Sequence, residues 1–342
     1  AFSTMSARQL ELANVAIRAG CFKDALAALE KREIAGEKAD ASEIDALRAA
    51  MLAWLGRDEQ ARDLAQRVLR LAGLPSAVTA RCYWVFAYLD KKAELFHEAI
   101  QNYQKAIHLA HDGGDQQQSC EYQLDLLGLL SDVHQPESVA LFIREVRRNA
   151  IRSGAPHTLA SLHINLAKIE ARQGLFTKGH HHLDASRRLL ADEPNCWLLG
   201  AGHLNRSAIH LVQSDPQAAR LHAEEAVRLS EISGHAYNSV AAMANLSHVY
   251  QQVGHYDKAE KLITDALGRM SSKERLYVDL LDSYANLLIE TDALSRAEEV
   301  LKEFFSLVPK ESGRSSWCRM SFHNTRARLL MRKNLWHGVA EE

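Results

Sequence analysis

The chain has 342 residues, with 41 lysines and arginines against 43 aspartates and glutamates. A single compact core stops growing at roughly 250–300 residues, so this length implies either two domains or a repeat array. Near-neutral charge argues against a dedicated nucleic-acid binder, which needs a strongly basic surface, and against an acidic disordered tail.

With 6 prolines and 17 glycines that never cluster into a long linker, and with abundant alanine and leucine, the composition favours helix throughout. Cys21, Cys82, Cys120, Cys196 and Cys318 are scattered and form no CxxC pair. They read as buried, reduced thiols of a cytoplasmic protein. No apolar run reaches the roughly 18 residues of a membrane span, and no signal-peptide core opens the chain.

In chain order the same pattern of small and large residues returns. The first unit carries Leu12, Ala13, Gly20, Phe22 and Ala25, and the second Ala49, Leu52, Gly56 and Ala61. Phe86, Ala87, Phe96, Ala99, Tyr103 and Ala106 mark the third, and Leu126, Leu130, Val139, Ile143 and Val146 the fourth. Leu166, Ala167, Gly174, Phe176, Gly179, Leu183 and Ser186 mark the fifth. The sixth has Ser207, Asp215-Pro216, Ala219, Ala223 and Ala226. The seventh is the clearest, with Leu246, Ser247 and Tyr250, then Gly254 and Tyr256, then Ala259, Ile263 and Ala266. Ala285, Leu288, Leu294, Ala297 and Leu301 follow, and Ala327, Leu330, Asn334, Trp336 and Val339 open a ninth unit cut short by the chain end. Steps of three and four residues make each unit two amphipathic helices joined by a tight turn.

These residues resemble the tetratricopeptide repeat family: a small residue in the first helix, an aromatic after the turn, and small residues twice in the second helix. The usual unit is about 34 residues; most units here are longer, with the surplus near Gly113-Gly114, Gly154 and Gly234. The second helix is therefore expected to be about one turn longer and capped by glycine. Long units of this kind are similar to those of bacterial signal-transduction and transcription regulators and of kinesin light chain. The resemblance implies an all-α, right-handed superhelical solenoid of antiparallel helix pairs. It is read as one solenoid over residues 1–342, eight pairs and a truncated ninth, in which each unit packs on its neighbours. First helices would line a concave groove, and second helices the outer wall. Both chain ends suggest a fragment of a longer protein, with an effector domain expected beyond the C-terminus.

No catalytic, cofactor or metal signature emerges, and the chain is not read as an enzyme. Gly113-Gly114 lacks the Lys-Ser/Thr of a phosphate loop, and GxSxG and HExxH are absent. Successive helical residues diverge by about 100°, so His180, His181 and His182 do not converge on one ion. His163 and His203 occupy matching positions and read as packing residues. The residues that point to a ligand are Asn165, Asn205 and Asn245, one per unit at a spacing of 40. The family's geometry turns that position into the groove, where a primary amide matches the alternating donors and acceptors of an extended peptide. Lys168, Arg172, His248, Gln251, Gln252 and Asn286 would then read the ligand's side chains. The alternative for the asparagines is hydrogen bonding between units within the scaffold, and Arg206, where the other two units have leucine, departs from the series.

Two further groups stand out. Tyr88 and Lys91 lie on one first helix with Trp84 and Lys92, an aromatic-plus-cation pair suited to an acidic or aromatic ligand group. Arg144, Arg148 and Arg152, with Arg147 beside them, read as a solvated outer face. The expected function is a protein- or peptide-binding module, the sensing region of a larger regulator, binding an extended segment in the groove. The alternatives are a constitutive scaffold and, from another class, a helical enzyme with a histidine-rich site.

Overall fold

The structure is a computed structural model and describes residues 2–30, 38–134, 136–272, 274–307 and 315–335. Among these residues there are seventeen α-helices and no strand. They pair as expected: α1 (Phe2–Arg18) with α2 (Phe22–Glu30), α3 (Lys38–Trp54) with α4 (Asp58–Leu69), and α5 (Ser76–Lys92) with α6 (Phe96–Asp112). Then come α7 (Gln116–Val133) with α8 (Ala140–Ser153), α9 (Pro156–Arg172) with α10 (Phe176–Leu189), and α11 (Cys196–Val212) with α12 (Pro216–Ser233). The series ends with α13 (Ala236–Gln252) and α14 (Tyr256–Leu267), α15 (Arg275–Glu290) and α16 (Leu294–Leu307), and α17 (Ser315–Arg332). The partner of α17, expected from Trp336 and Val339, lies outside the described residues.

Small residues bring the two helices of a pair together. Ala219, Ala259 and Ala297 are wholly buried. In two successive units a buried serine of the first helix also donates to a carbonyl of the second, Ser207 Oγ to Ala219 O at 3.0 Å and Ser247 Oγ to Ala259 O at 2.8 Å. First helices of adjacent units touch directly, α3 on α5, α7 on α9, α9 on α11 and α11 on α13, while second helices stand further apart. The stack therefore curls with its first helices inside. Of the aromatics expected to fill gaps between units, Phe22 is buried and Phe96 and Phe176 are half-buried, but Tyr256 stays 39% exposed. The long second helices are α6 and α12, at 17 and 18 residues; α4 and α14 have only 12. Gly154 and Gly234 cap α8 and α12 in the left-handed conformation.

The turn inside each pair follows one design. A residue with φ between +58° and +77° ends the first helix: Gly20, Gly56, Glu94, Gly174, Ser214, Asp292 and Asn334, with Gly254 at +78°. The next residue's N–H reaches back five positions, as in Asp215 to His210 O at 2.9 Å and His255 to Tyr250 O at 2.8 Å, closing the first helix in a Schellman motif. Unit four departs. His134 is extended there and a 3₁₀ turn, Pro136–Val139, precedes α8.

The left-handed requirement is testable at two equivalent turns. An added Cβ at Gly254 meets nothing within 4 Å, so Gly254→Ala acts through conformation alone and is expected to cost about 1 kcal/mol. Ser214→Gly removes a strained Cβ at the matching position and, after the extra freedom of its unfolded chain, is expected to gain roughly 0.5 kcal/mol. Denaturation midpoints at unchanged slope report both; shifts of the same sign would contradict the shared turn.

Candidate functional site

Nearest-neighbour stacking was the whole expectation from sequence, but the coil also meets itself. The turns of units one to three rest against the helix starts of units six to eight. Cys196, the first residue of α11, has an N–H with no intrahelical acceptor, and it donates to Ala19 O at 2.9 Å. Asn195 caps α11 by accepting from Leu198 N–H at 2.9 Å, and its Nδ2 donates to Arg18 O at 2.8 Å. Only glycine fits at position 20, where a Cβ would lie 2.4 Å from the Asn195 side chain. Lys23 donates to Glu231 O at 3.2 Å. In unit three Lys92 binds Asp58 at 2.7 Å within its own coil and Glu274, at the N-terminus of α15, at 3.2 Å across the seam, and Arg275 lies 3.8 Å from Glu94.

An aromatic cluster backs this seam. Phe22 stacks on Trp54 with ring centroids 4.2 Å apart; Trp54 contacts Trp84 at 5.2 Å and Trp197 of the opposite coil at 5.7 Å. His235, ahead of α13, completes the cluster against Phe22, Trp197 and Tyr88. Such aromatic pairs contribute about 0.5–1.5 kcal/mol each beyond area burial. Its Nδ1 accepts from Asn238 N–H at 3.2 Å. Burial, then Lys92 and Lys91, push its imidazole down to about 3, so it stays neutral.

Closure turns the groove into an enclosed interior. Tyr237 keeps 45% of its surface open. Yet protein surrounds it closely enough that burial, with Asp132 nearby, pushes its phenol up to about 12. Glu121 is likewise exposed, and burial raises its carboxyl to about 7 against the opposing effect of the Gln117 hydrogen bond. Tyr237, in contact with solvent yet close to Asp132 and Arg275, marks the lumen that the seam closes off. Around it Lys91, Asp132, Lys168 and Arg275, from units three, four, five and eight, lie within electrostatic reach of one another. Burial alone would raise the Asp132 carboxyl, but Lys168, Lys91 and Arg275 hold it below its ordinary value. Lys168 pairs with Asp132 at 2.5 Å. Lys91 is half-buried, and burial lowers its ammonium pKa. Among the described residues no carboxylate lies within ion-pair range of Lys91. Asp125 accepts from Trp84 Nε1 at 2.7 Å.

The residues singled out from sequence fall on this inner wall with their polar groups largely engaged between units. Asn205 Nδ2 donates to Ile164 O at 3.4 Å and Asn245 Nδ2 to Leu204 O at 3.3 Å, each a carbonyl of the preceding first helix. Their 40-residue spacing is thus a scaffold register, in which each Nδ2 is engaged by the preceding unit. Asn165 instead donates to Ser161 O of its own helix at 3.1 Å. Asn286 donates to Asp282 O and Thr325 Oγ1 and accepts from Arg328. Arg172 donates to Ser131 O and lies 3.7 Å from Asp132. Gln251 donates to Glu290 at 2.8 Å, while exposed His248 contacts Gln252 at 3.1 Å. Arg206 pairs with Asp184 of α10 at 2.7 Å, which accounts for the departure at that position. Sequence reasoning placed Tyr88 and Lys91 in the groove; it missed Glu121, and it missed Asp132, Tyr237 and Arg275, which come within reach of one another because the coil closes.

The histidines pair. His163 and His182 approach through Nδ1 at 2.9 Å, and His203 and His222 repeat the contact one unit later at 3.0 Å. His163 and His203 are half-buried, packed against these partners. Burial, then His203, lowers His222 to about 4. No group of three or more His, Cys, Asp or Glu that could hold a metal ion occurs among the described residues, nor does any helix long and apolar enough to cross a membrane.

No family model matches the sequence, and no curated protein matches it either. Solved structures do. The chain is similar to Cut9 in the Cut9–Hcn1 hetero-tetramer of the APC/C, with a TM-score of 0.60 and 14% identity over 91% of this chain and 54% of that one, so it spans about half of Cut9. It is similar to a Rap protein complexed with Competence and Sporulation Factor, with a TM-score of 0.58 and 15% identity over 96% of this chain and 99% of that one. A third is a signal-transduction ATPase with numerous domains from Pyrococcus horikoshii that has a tetratricopeptide repeat sensor, with a TM-score of 0.54 and 15% identity over 92% of this chain and 50% of that one. At such identities the likeness is one of fold, and that fold is the right-handed superhelix of tetratricopeptide-type helix pairs.

Proposed function

We propose that this chain binds an extended protein or peptide segment inside the lumen of its closed superhelix, as the sensing or interaction region of a larger regulator. The observation that carries the reading is the inner belt of Tyr88, Lys91, Asp132, Lys168, Tyr237 and Arg275, brought from units three, four, five, seven and eight within electrostatic reach of one another. A lumen with polar groups on several sides suits a chain with its backbone exposed. Lys91 would take a ligand carboxylate, Tyr237 a flat or apolar side chain, and the Oδ1 atoms of Asn205 and Asn245 ligand N–H groups. Of the remaining residues singled out from sequence, Lys168, Arg172, Gln251 and Asn286 hold neighbouring first helices in position along the path, while Asn165, His248 and Gln252 make their contacts within their own helices. Support for a peptide-sized ligand comes from the Rap protein, which is complexed with Competence and Sporulation Factor and which this chain matches over almost its whole length. Binding rather than turnover, without cofactor, at a cytoplasmic location, completes the proposal. A constitutive scaffold, suggested by Cut9 in its hetero-tetramer, would bind through the same fold without switching.

Two measurements follow. Peptides selected from a displayed random library are expected to carry acidic groups and to lose about tenfold in affinity with Lys91→Ala, the worth of one charge-assisted contact, while the melting curve is unchanged. Selected peptides indifferent to both Lys91→Ala and Tyr237→Ala would place binding outside the lumen. The surroundings of Glu121 predict a pH effect. Between pH 4.5 and about 7 the folded chain holds a proton on Glu121 that the unfolded chain releases, so this residue lowers stability as pH rises through that window. Glu121→Gln is therefore expected to raise the melting temperature at pH 8 and to leave it unchanged at pH 4. An equal effect at both would show that Glu121 faces open solvent.

A further inference from the structure

Of the four cysteines whose side chains are described, two differ from the others in setting. Cys82 and Cys120 are buried in the unit cores, where burial pushes their thiols to about 12 and 11. Cys21 and Cys196 are half-buried and sit on opposite sides of the coil seam. Cys21 follows the turn of unit one; Cys196 opens α11 in unit six. Both converge on one atom: the Cys196 N–H donates to Ala19 O at 2.9 Å, and the Cys21 Sγ lies 3.7 Å from the same oxygen. The two cysteines thus flank one carbonyl, and Cys196 is among the groups that raise the Cys21 pKa, after burial and ahead of Asp24. The seam around them is held from several directions by Asn195, Gly20 and the tilted contact of Phe22 with Trp197, so this juxtaposition belongs to the closed coil.

We infer that Cys21 and Cys196 form an oxidative modification site, a disulfide that staples the first turn of the superhelix to the second. The oxidant is a hydroperoxide. Its O–O bond breaks as the Cys196 thiolate attacks, giving a sulfenic acid at Cys196 and, from hydrogen peroxide, hydroxide, which takes up the proton lost by the thiol and leaves as water. The Cys21 sulfur then attacks the Cys196 sulfur, the S–S bond forms, and a second water leaves with the Cys21 proton. Two thiols have lost two electrons and the peroxide has gained them. The steps are written with Cys196 oxidised first and balance equally with the two sulfurs exchanged. The staple fixes the closed state; its effect on a lumen ligand rests on the binding reading above, whereas the bond itself does not.

Full-length chain treated with hydrogen peroxide at neutral pH is expected to lose two thiols and to yield, on non-reducing tryptic digestion, residues 19–23 joined to residues 189–206. Thiol reductant reverses the link. The oxidised chain is expected to melt roughly 5 °C higher, a shift absent from Cys21→Ser and Cys196→Ser, whose reduced melting curves report folding separately. Bonds linking two chains, a pair involving Cys82 or Cys120, or sulfinic acid at Cys196 without the cross-link would each overturn the assignment. If the link forms but a library-selected peptide binds and dissociates unchanged, the modification site stands and the lumen reading fails.

Discussion

A string of helix pairs encloses an interior only if successive turns of its superhelix touch, and here that contact rests on few groups. Ala19 and Arg18 offer carbonyls to the start of α11, Gly20 leaves room for Asn195, and three tryptophans with Phe22 and His235 fill the space behind. A first-turn N–H is an unsatisfied donor in any helix; meeting it with a carbonyl from another coil converts a helix end into an adhesive edge. The ion pairs of Lys92 with Glu274 and Arg275 with Glu94 continue that edge through unit three. Without it, Lys91, Asp132, Tyr237 and Arg275 would line separate stretches of an open groove.

The fold was legible because the stacking of neighbours is written locally. Gly20, Gly56, Gly174 and Gly254 mark turns that only left-handed residues can make, and Ala219, Ala259 and Ala297 mark the close approaches. Glu94, Ser214 and Asp292 take the same conformation without being glycine, and the periodicity of their neighbours, not their identity, reveals those turns. The closure was not legible. Trp54, Trp84 and Trp197 look like ordinary packing residues in their own units, and nothing in a repeat's phase says which later unit will return beneath it. The number of units per superhelical turn depends on small rotations summed over many interfaces, which a pattern of residue sizes does not encode.

The asparagine series shows the same limit at the level of a single group. A spacing of 40 fixed the face on which Asn205 and Asn245 lie, but not the direction of the amide. Each Nδ2 reaches the carbonyl one unit back, so the regularity that suggested recognition of a foreign backbone also serves the chain's own. The histidines behave alike: His163 and His203 recur because each meets a partner on its second helix, His182 or His222. In a repeat protein, equivalent positions report equivalent neighbours first. Residues that meet by closure are distributed without period, and the polar belt of the lumen is of that kind.

The most direct measurement of closure is hydrogen exchange at one amide, the N–H of Cys196. In an open superhelix this first-turn N–H faces water and exchanges as fast as an unprotected peptide. In the closed coil it is bound to Ala19 O and is expected to exchange at least a hundredfold more slowly, the protection of an opening free energy of about 2.7 kcal/mol. Exchange at the unprotected rate in an otherwise folded chain would contradict closure, and with it the enclosed lumen.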